Sequence, residues 1–266
     1  MSRIGHAFAA ARKSRRAAFV AYITAGDPSL ELTVDLARAL RRAGADVLEL
    51  GIPFSDPIAD GPTNQRAAER ALAAGATPRG VLETIGAIRT QGEEIPIVIF
   101  TYANPVLQYG VERFAEDAAS AGADGVLFTD VPVEELDRFQ PALRANGLDS
   151  VLLVTPTSTK ERVRAASRRG GGFLYLVSRT GVTGARTTLE ADLAANVRAA
   201  RKVSKLPVAV GFGISSPGQV EAVSRLADGV VVGSAIVDRI ARLGDSHELA
   251  DSVQAFVTPL VEACRR

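Results

Sequence analysis

One phrase, used three times, limits what this chain can fold into more than any other feature. AGADVLELG (43–51), AGADGVLFTD (121–130) and LADGVVVGS (226–234) each end a helical pattern, turn at a small residue and an aspartate, and launch an apolar run. Gly44 and Gly122 suit the left-handed position that closes a helix, a conformation glycine adopts without steric cost. The runs that follow are nearly continuous Val, Leu and Phe, the pattern of strands buried on both faces. This is the grammar of parallel strands joined by helices, not of hairpins.

Eight such runs occur: AFVAYIT (18–24), VLEL (47–50), IVIFTY (97–102), GVLFT (125–129), SVLLVT (150–155), FLYLVS (173–178), VAVG (208–211) and GVVVG (229–233). The segments between them, among them LELTVDLARALRRA (30–43), VERFAEDAASA (111–121) and TLEADLAANVRAARKV (188–203), repeat apolar residues every three or four positions, as amphipathic helices do. Eight alternating units predict the α/β class and a (β/α)8 TIM barrel, with chemistry at the C-terminal ends of the strands. The 266 residues, 47% of them hydrophobic, suit one barrel domain spanning 1–266. Residues 3–13 predict an N-terminal capping helix, and Gln65 to Ala74 an extra helix after the loop that follows the second strand. The GGG run at 170–172 ahead of the sixth strand is unusually flexible and has no functional reading from sequence.

Bulk properties remove several classes of function. Lys and Arg total 31 against 30 Asp and Glu, a formal charge of +1, so the overall balance points to neither nucleic acid nor an anionic membrane. Cys264 is the only cysteine and cannot form an internal disulfide or a thiolate metal cluster. His6 and His247 fall in segments read as peripheral helices, so no metal site is expected. The first twenty residues lack the apolar core of a signal peptide, and no run reaches the ~18 apolar residues of a membrane span. A cytoplasmic location follows as the expectation.

The chemistry concentrates in VLELGIPFSDPIADGPTNQ (47–65). Glu49 sits among Val47, Leu48 and Leu50, where a charged carboxylate costs several kcal/mol to bury unless it is paired or neutralised. The loop that follows is stiffened by Pro53, Pro57 and Pro62 and carries Asp56 and Asp60. Glu49 and Asp60, two carboxylates in unlike surroundings, can hold different protonation states at one pH, which is what general acid and base work needs. Asp60 also precedes a glycine, as turn aspartates do, so its residue pattern alone leaves both readings open. After the seventh and eighth strands, GFGISSP (211–217) and GSAIVDRI (233–240) supply glycines and a helix start near Ser234, the makings of a phosphate site. VSRTGVTGARTT (177–188) is a candidate lid or an ordinary connection.

Taken together, AYITAGDPS, ELGIPFSDPIADGP, TYANPV, YLVSRTGVTG, VGFGISSP and GSAIV resemble, in order and spacing, the motif series of the tryptophan synthase alpha subunit family, across nearly the whole chain. The resemblance implies a (β/α)8 lyase of tryptophan biosynthesis that cleaves indole-3-glycerol phosphate to indole and glyceraldehyde 3-phosphate. It implies catalytic roles for Glu49 and Asp60, phosphate contacts at Gly184, Phe212, Gly213, Gly233 and Ser234, a tyrosine near the catalytic glutamate at Tyr175, and a lid threonine at Thr183. Pro53, Asp56 and Ile58 match the loop that faces a beta subunit in an α2β2 complex. Pyridoxal phosphate is implied only in that partner, with no cofactor in this chain. A wall for the flat indole would come from strand ends at Tyr22, Phe100, Leu127 and Val154, each of which core packing also explains. Three positions depart from the family's pattern: Tyr22 in place of Phe, Phe100 in place of a smaller aliphatic residue, and Asn64 in place of a branched apolar one.

Three other readings share parts of this pattern. A stand-alone lyase would release free indole without a partner. A catalytically silent activator of the beta subunit would have lost the acid/base pair, yet both Glu49 and Asp60 are present. A different sugar-phosphate barrel would share the glycine turns but have no need of the SDPIADGP loop.

Overall fold

Strands β1 (Ala18–Thr24), β2 (Val47–Gly51), β3 (Ile97–Thr101), β4 (Gly125–Phe128), β5 (Asp149–Val154), β6 (Leu174–Val177), β7 (Val208–Gly211) and β8 (Gly229–Val232) pair in sequence order and close on themselves. Every pairing is parallel. The structure, a computed structural model, describes residues 2–177, 186–211 and 213–265, without the side chains of 186–191.

Helix α1 (Arg3–Lys13) precedes the barrel, and α2 (Leu30–Arg42) links β1 to β2. Both α3 (Pro62–Ala73) and α4 (Pro78–Thr90) lie between β2 and β3, and both α5 (Ala103–Tyr109) and α6 (Val111–Ala121) between β3 and β4. They are followed by α7 (Gln140–Ala145), α8 (Lys160–Arg169), α9 (Arg186–Val203), α10 (Pro217–Ser224), α11 (Ser234–Leu243) and α12 (Leu249–Glu262). The extra helix after β2 starts three residues before the sequence reading placed it. Pro62 carries no N–H to leave unpaired and has its φ preset, so it serves as the first helical residue after Gly61. His247 lies in the turn between α11 and α12 rather than on a helix. Gly44 and Gly122 adopt φ of +99° and +94°, as their helix-closing positions require.

Alternation along the strands divides the apolar residues into two sets. Val20, Val47, Val98, Leu127, Val151 and Phe173 fill the barrel interior. Phe19, Leu48, Leu50, Ile99 and Val154 point outward and pack under the helices. Val154 therefore belongs to the helical shell and not to a wall at the barrel mouth, because strands buried on both faces conceal from composition which face each residue takes. Helix α1 closes the bottom: Ile4, Phe8 and Ala11 join the interior cluster, and the Phe8 ring stacks on Phe173 at 5.1 Å. Burying side chains of this size contributes roughly 1.5–3 kcal/mol each.

The GGG run fits under this plug. A side chain at Gly171 would run into the Asp149 carboxyl, and Gly172, at φ +66°, would meet Ile4 of α1 at 2.9 Å. Ser2, which caps α1, donates its hydroxyl to the same Asp149. Glycines here let the chain pass beneath the capping helix.

The aspartate of each repeated phrase has one structural task. Asp46, Asp124 and Asp228 accept from the backbone N–H groups of Phe19, Ile97 and Val208, at 2.8, 2.8 and 3.0 Å. Each is met by arginine: Asp46 by Arg16, Asp124 by Arg89 and Arg3, Asp228 by Arg201. The start of the neighbouring strand is thus hydrogen-bonded at the closed end of the barrel, far from its mouth. Asp124→Ala should leave the Arg89 side chain, 15% exposed, without its counter-charge. The expected loss is about 3 kcal/mol of unfolding free energy, read from urea denaturation, and a loss below about 1 kcal/mol would show that Asp124 carries no such load.

Candidate active site

Register puts Glu49 at the top of the interior layer. It pairs with Tyr22 of β1 on one side and Val98 of β3 on the other, so its side chain follows Val47 inward. It is fully buried, and neither carboxyl oxygen has a hydrogen-bond partner among the described residues. Burial alone pushes its pKa up to about 8. At neutral pH this is a largely protonated carboxylic acid that lines a pocket at the strands' C-terminal ends.

Asp60 is held differently. The Tyr102 hydroxyl donates to its Oδ2 at 2.7 Å, and the Asn64 amide reaches Oδ1 at 3.5 Å. The same Tyr102 oxygen accepts from the Ala59 N–H at 3.1 Å, and the Gln65 side chain donates to the Asp60 carbonyl at 2.9 Å. Three elements therefore converge on one carboxylate: the β2 loop, the end of β3 and the first turn of α3. Helix α3 takes Gly61 as its N-cap with no side-chain hydrogen bond, so the Asp60 carboxylate does not cap that helix. Burial raises its pKa, opposed by hydrogen bonds from Tyr102 and Asn64. Sequence reasoning did not single out Tyr102; the TYANPV segment was its only signal, since a tyrosine at a strand end reads as packing.

Two phenols interact with both carboxylates. Tyr22 and Tyr175 are both raised above the ordinary range, first by burial and then by the charges of Glu49 and Asp60. Each ring rests on a glycine. A Cβ at Gly51 would lie 2.5 Å from the Tyr22 hydroxyl, and one at Gly211 would collide with the Tyr175 hydroxyl. Tyr22 shares a 3.3 Å hydrogen bond with Thr24 and meets Phe100 edge-on, with ring centroids 4.9 Å apart. The two bulky departures from the family's pattern thus pack on each other. The third, Asn64, touches Asp60 and leaves its own buried carbonyl oxygen without a partner among the described residues.

Tyr22, Phe100 and Tyr175 line the same pocket as Glu49, and Gly213, Gly233 and Ser234 close its far side. There α11 begins at Ser234 with Gly233 as its N-cap and no side chain bound to its free N–H groups. That end of a ten-residue helix is suited to an anion. Leu127 does not line the pocket: it is fully buried in the interior layer below. Thr183, Gly184 and Phe212, together with most of the candidate lid at 177–188, lie outside the described residues. On the loop, Pro53 is buried, Asp56 is exposed and Ile58 is 84% exposed. Among the described residues no three His, Cys, Asp or Glu side chains converge as metal ligands, and no helix is long and apolar enough to cross a membrane.

Comparison with known proteins gives a consistent picture. A family model described as tryptophan synthase alpha chain matches residues 8–264. The tryptophan synthase alpha chain of Geobacter sulfurreducens is 50% identical over 263 residues, 99% of each chain. That of Solibacter usitatus is 49% identical over 260 residues, 98% of this chain and 97% of the other. Among solved structures, tryptophan synthase subunit alpha from Legionella pneumophila superposes with a TM-score of 0.91 at 38% identity, covering 99% and 98% of the two chains. A chain of Mycobacterium tuberculosis tryptophan synthase gives 0.89 at 38% identity, covering 100% and 99%.

The state of Glu49 has a measurable consequence for stability. Its folded pKa of about 8 lies above the ordinary carboxyl value of 4.5, so the folded chain binds the extra proton between those limits. Stability contributed by this group is complete below pH 4.5 and is lost as pH rises toward 8. Glu49→Gln removes the liability. Its stabilisation relative to wild type should grow by roughly 1.4 kcal/mol per pH unit between pH 5 and pH 8, as followed by thermal or urea unfolding. A pH-independent difference would mean that Glu49 is not a buried neutral acid.

Proposed function

This chain belongs to the tryptophan synthase alpha chain family, and we propose that Glu49 and Asp60 carry its lyase reaction, the cleavage of indole-3-glycerol phosphate to indole and glyceraldehyde 3-phosphate in tryptophan biosynthesis. The observation that carries the assignment is the fully buried Glu49 carboxyl, without a hydrogen-bond partner among the described residues, facing the pocket that ends at the α11 N-terminus.

Breaking the bond between indole C3 and the glycerol carbon requires a proton at C3, a base for the adjacent hydroxyl, and stabilisation of positive charge spreading to the ring nitrogen. Glu49 is protonated at neutral pH and has no hydrogen bond to give up among the described residues, so it donates to C3. The carboxylate so formed takes the hydroxyl proton as the carbonyl of the aldehyde product develops. The two transfers leave Glu49 neutral again, ready for the next turnover. Asp60, oriented by Tyr102 and Asn64, accepts from the indole N–H as charge builds there. Tyr22 and Phe100 confine the ring, and Tyr175 lies beside Glu49. The phosphate binds at Gly213, Gly233 and Ser234; the family resemblance adds Gly184 and Phe212 to the phosphate contacts and Thr183 as the lid threonine, all three outside the described residues. The proposed chemistry draws on the two carboxylates and on no cofactor held by this chain.

We further propose a cytoplasmic α2β2 assembly in which indole passes to a pyridoxal-phosphate-bearing beta subunit docked on the loop of Pro53, Asp56 and Ile58. An isoleucine 84% exposed on a proline-stiffened loop is a ready anchor for a partner. The similar Mycobacterium tuberculosis chains come from structures of tryptophan synthase.

Indole release from indole-3-glycerol phosphate tests the chemistry. Glu49→Gln and Asp60→Asn should each lower kcat by about 10²–10⁴-fold, and near-normal turnover by either variant would remove that residue from the mechanism. For the partnership, Ile58→Asp should weaken binding to purified beta subunit by at least about tenfold, measured by calorimetry or gel filtration. Equal affinity of variant and wild type would move the interface elsewhere.

A further inference from the structure

Charge is unevenly spread along this chain. Between positions 160 and 205 lie eleven Lys and Arg against three Asp and Glu, in a chain whose totals are 31 and 30, so the remainder is acidic. The excess gathers on α8 and α9, on the outer surface of the barrel.

Lys160 and Arg164 of α8 and Arg198 and Lys202 of α9 line one open cleft, floored by Ala195 and Ala199, and among the described residues no acidic one lines it. All four cations are exposed, and none has an ion-pair or hydrogen-bond partner among the described residues. Elsewhere in the fold the same i, i+4 spacing sets arginine against acid, as in Arg79–Glu83, Arg113–Asp117, Arg225–Glu221 and Arg242–Asp238, and where it sets arginine beside arginine, at Arg38/Arg42 and Arg66/Arg70, an acid meets at least one of the two. Here that spacing sets cation beside cation in both helices, an arrangement that works against helix stability. Lys160 is moreover the first residue of α8, at the end of the helix dipole that repels positive charge. The local energetics of α8 and α9 do not account for this cluster; an anion seated between the helices does.

The shape of the cleft narrows the choice of anion. Exposed alanines on the floor let a ligand come close to the α9 backbone, and guanidinium groups from both sides match the paired oxygens of phosphate. Neither helix carries an aromatic residue on which nucleobases stack, so recognition is of phosphates and not of bases. We propose that the α8–α9 cleft is a binding site for a compact polyphosphate, a ligand with two or more adjacent phosphate groups, separate from the monophosphate site at the barrel mouth.

Calorimetric titration of the full chain with inorganic tripolyphosphate tests this, at constant ionic strength near about 0.1 M and with glycerol 3-phosphate saturating the mouth. One equivalent should bind, and R164A/R198A should bind about a hundredfold more weakly, roughly tenfold for each charged hydrogen-bond donor removed. K160Q/K202Q should weaken binding in the same direction, and inorganic sulfate should compete poorly. Unfolding temperatures of both variants should match or exceed that of wild type, since like-charge repulsion is relieved. No binding of tripolyphosphate, or equal binding by R164A/R198A, would overturn the proposal. So would binding of single-stranded RNA through the same arginines by a chain that ignores tripolyphosphate.

Discussion

A carboxylic acid inside an apolar barrel, with no hydrogen-bond partner among the described residues, is the constraint on which the rest of this structure depends. Glu49 follows Val47 along the inward face of β2, and its two oxygens meet no donor among the described residues. Leaving such a group unsatisfied costs on the order of 1–3 kcal/mol, and more once it is ionised. A fold retains that cost only if it is otherwise secure. The closed sheet, the filled interior and the capping helix α1 supply that security. An unpaired acid is also a group with its hydrogen-bonding capacity still free, and a substrate can take it up.

The opposite end of the barrel shows what the same chemistry looks like when its purpose is stability. Asp124 is almost as buried as Glu49, yet it accepts from the Ile97 N–H and from Arg89 and Arg3. Asp46 and Asp228 repeat the arrangement with one strand start and one arginine each. At the bottom Asp46, Asp124 and Asp228 all have donors waiting for them. At the mouth, one has been denied them and another is gripped by a phenol. The two ends use a single residue class for opposite ends, and the difference lies in the donors supplied.

Much of this was readable from sequence because it depends on patterns local to the chain. The eight strands were legible as apolar runs bounded by helical periodicity, and Glu49 stood out as a charge within such a run. Side-chain direction was less legible. Val154 and Leu127 are apolar residues of strands covered on both faces, and only the register assigns one to the helical shell and the other to the interior below the pocket. Tyr102 was hidden because its significance lies in Asp60, 42 positions away in sequence. The GGG run became intelligible only once α1 and Asp149 were seen above it, a contact that no local pattern announces. Asn64, odd where an apolar residue is usual, proved to face the Asp60 carboxylate.

The division of labour between the two acids follows from these surroundings and not from their being Glu and Asp. Burial acts on Glu49 unopposed, so its proton is retained at neutral pH. Burial also acts on Asp60, but Tyr102 and Asn64 donate to it and favour the charged form. Of the pair, Glu49 therefore holds the proton and Asp60 offers the acceptor. Their placement matches that order: the proton holder lies deep in the mouth, where water does not compete for its proton, and the acceptor lies on a loop that reaches in from the side. Both acids bear on the titration of Tyr22 and Tyr175, the rings that rest on Gly51 and Gly211. A side chain at either glycine would push a ring into the pocket that Tyr22 and Tyr175 line. The width of the site is set by backbone that has nothing on it, and its chemistry by an acid left without a hydrogen-bond partner among the described residues.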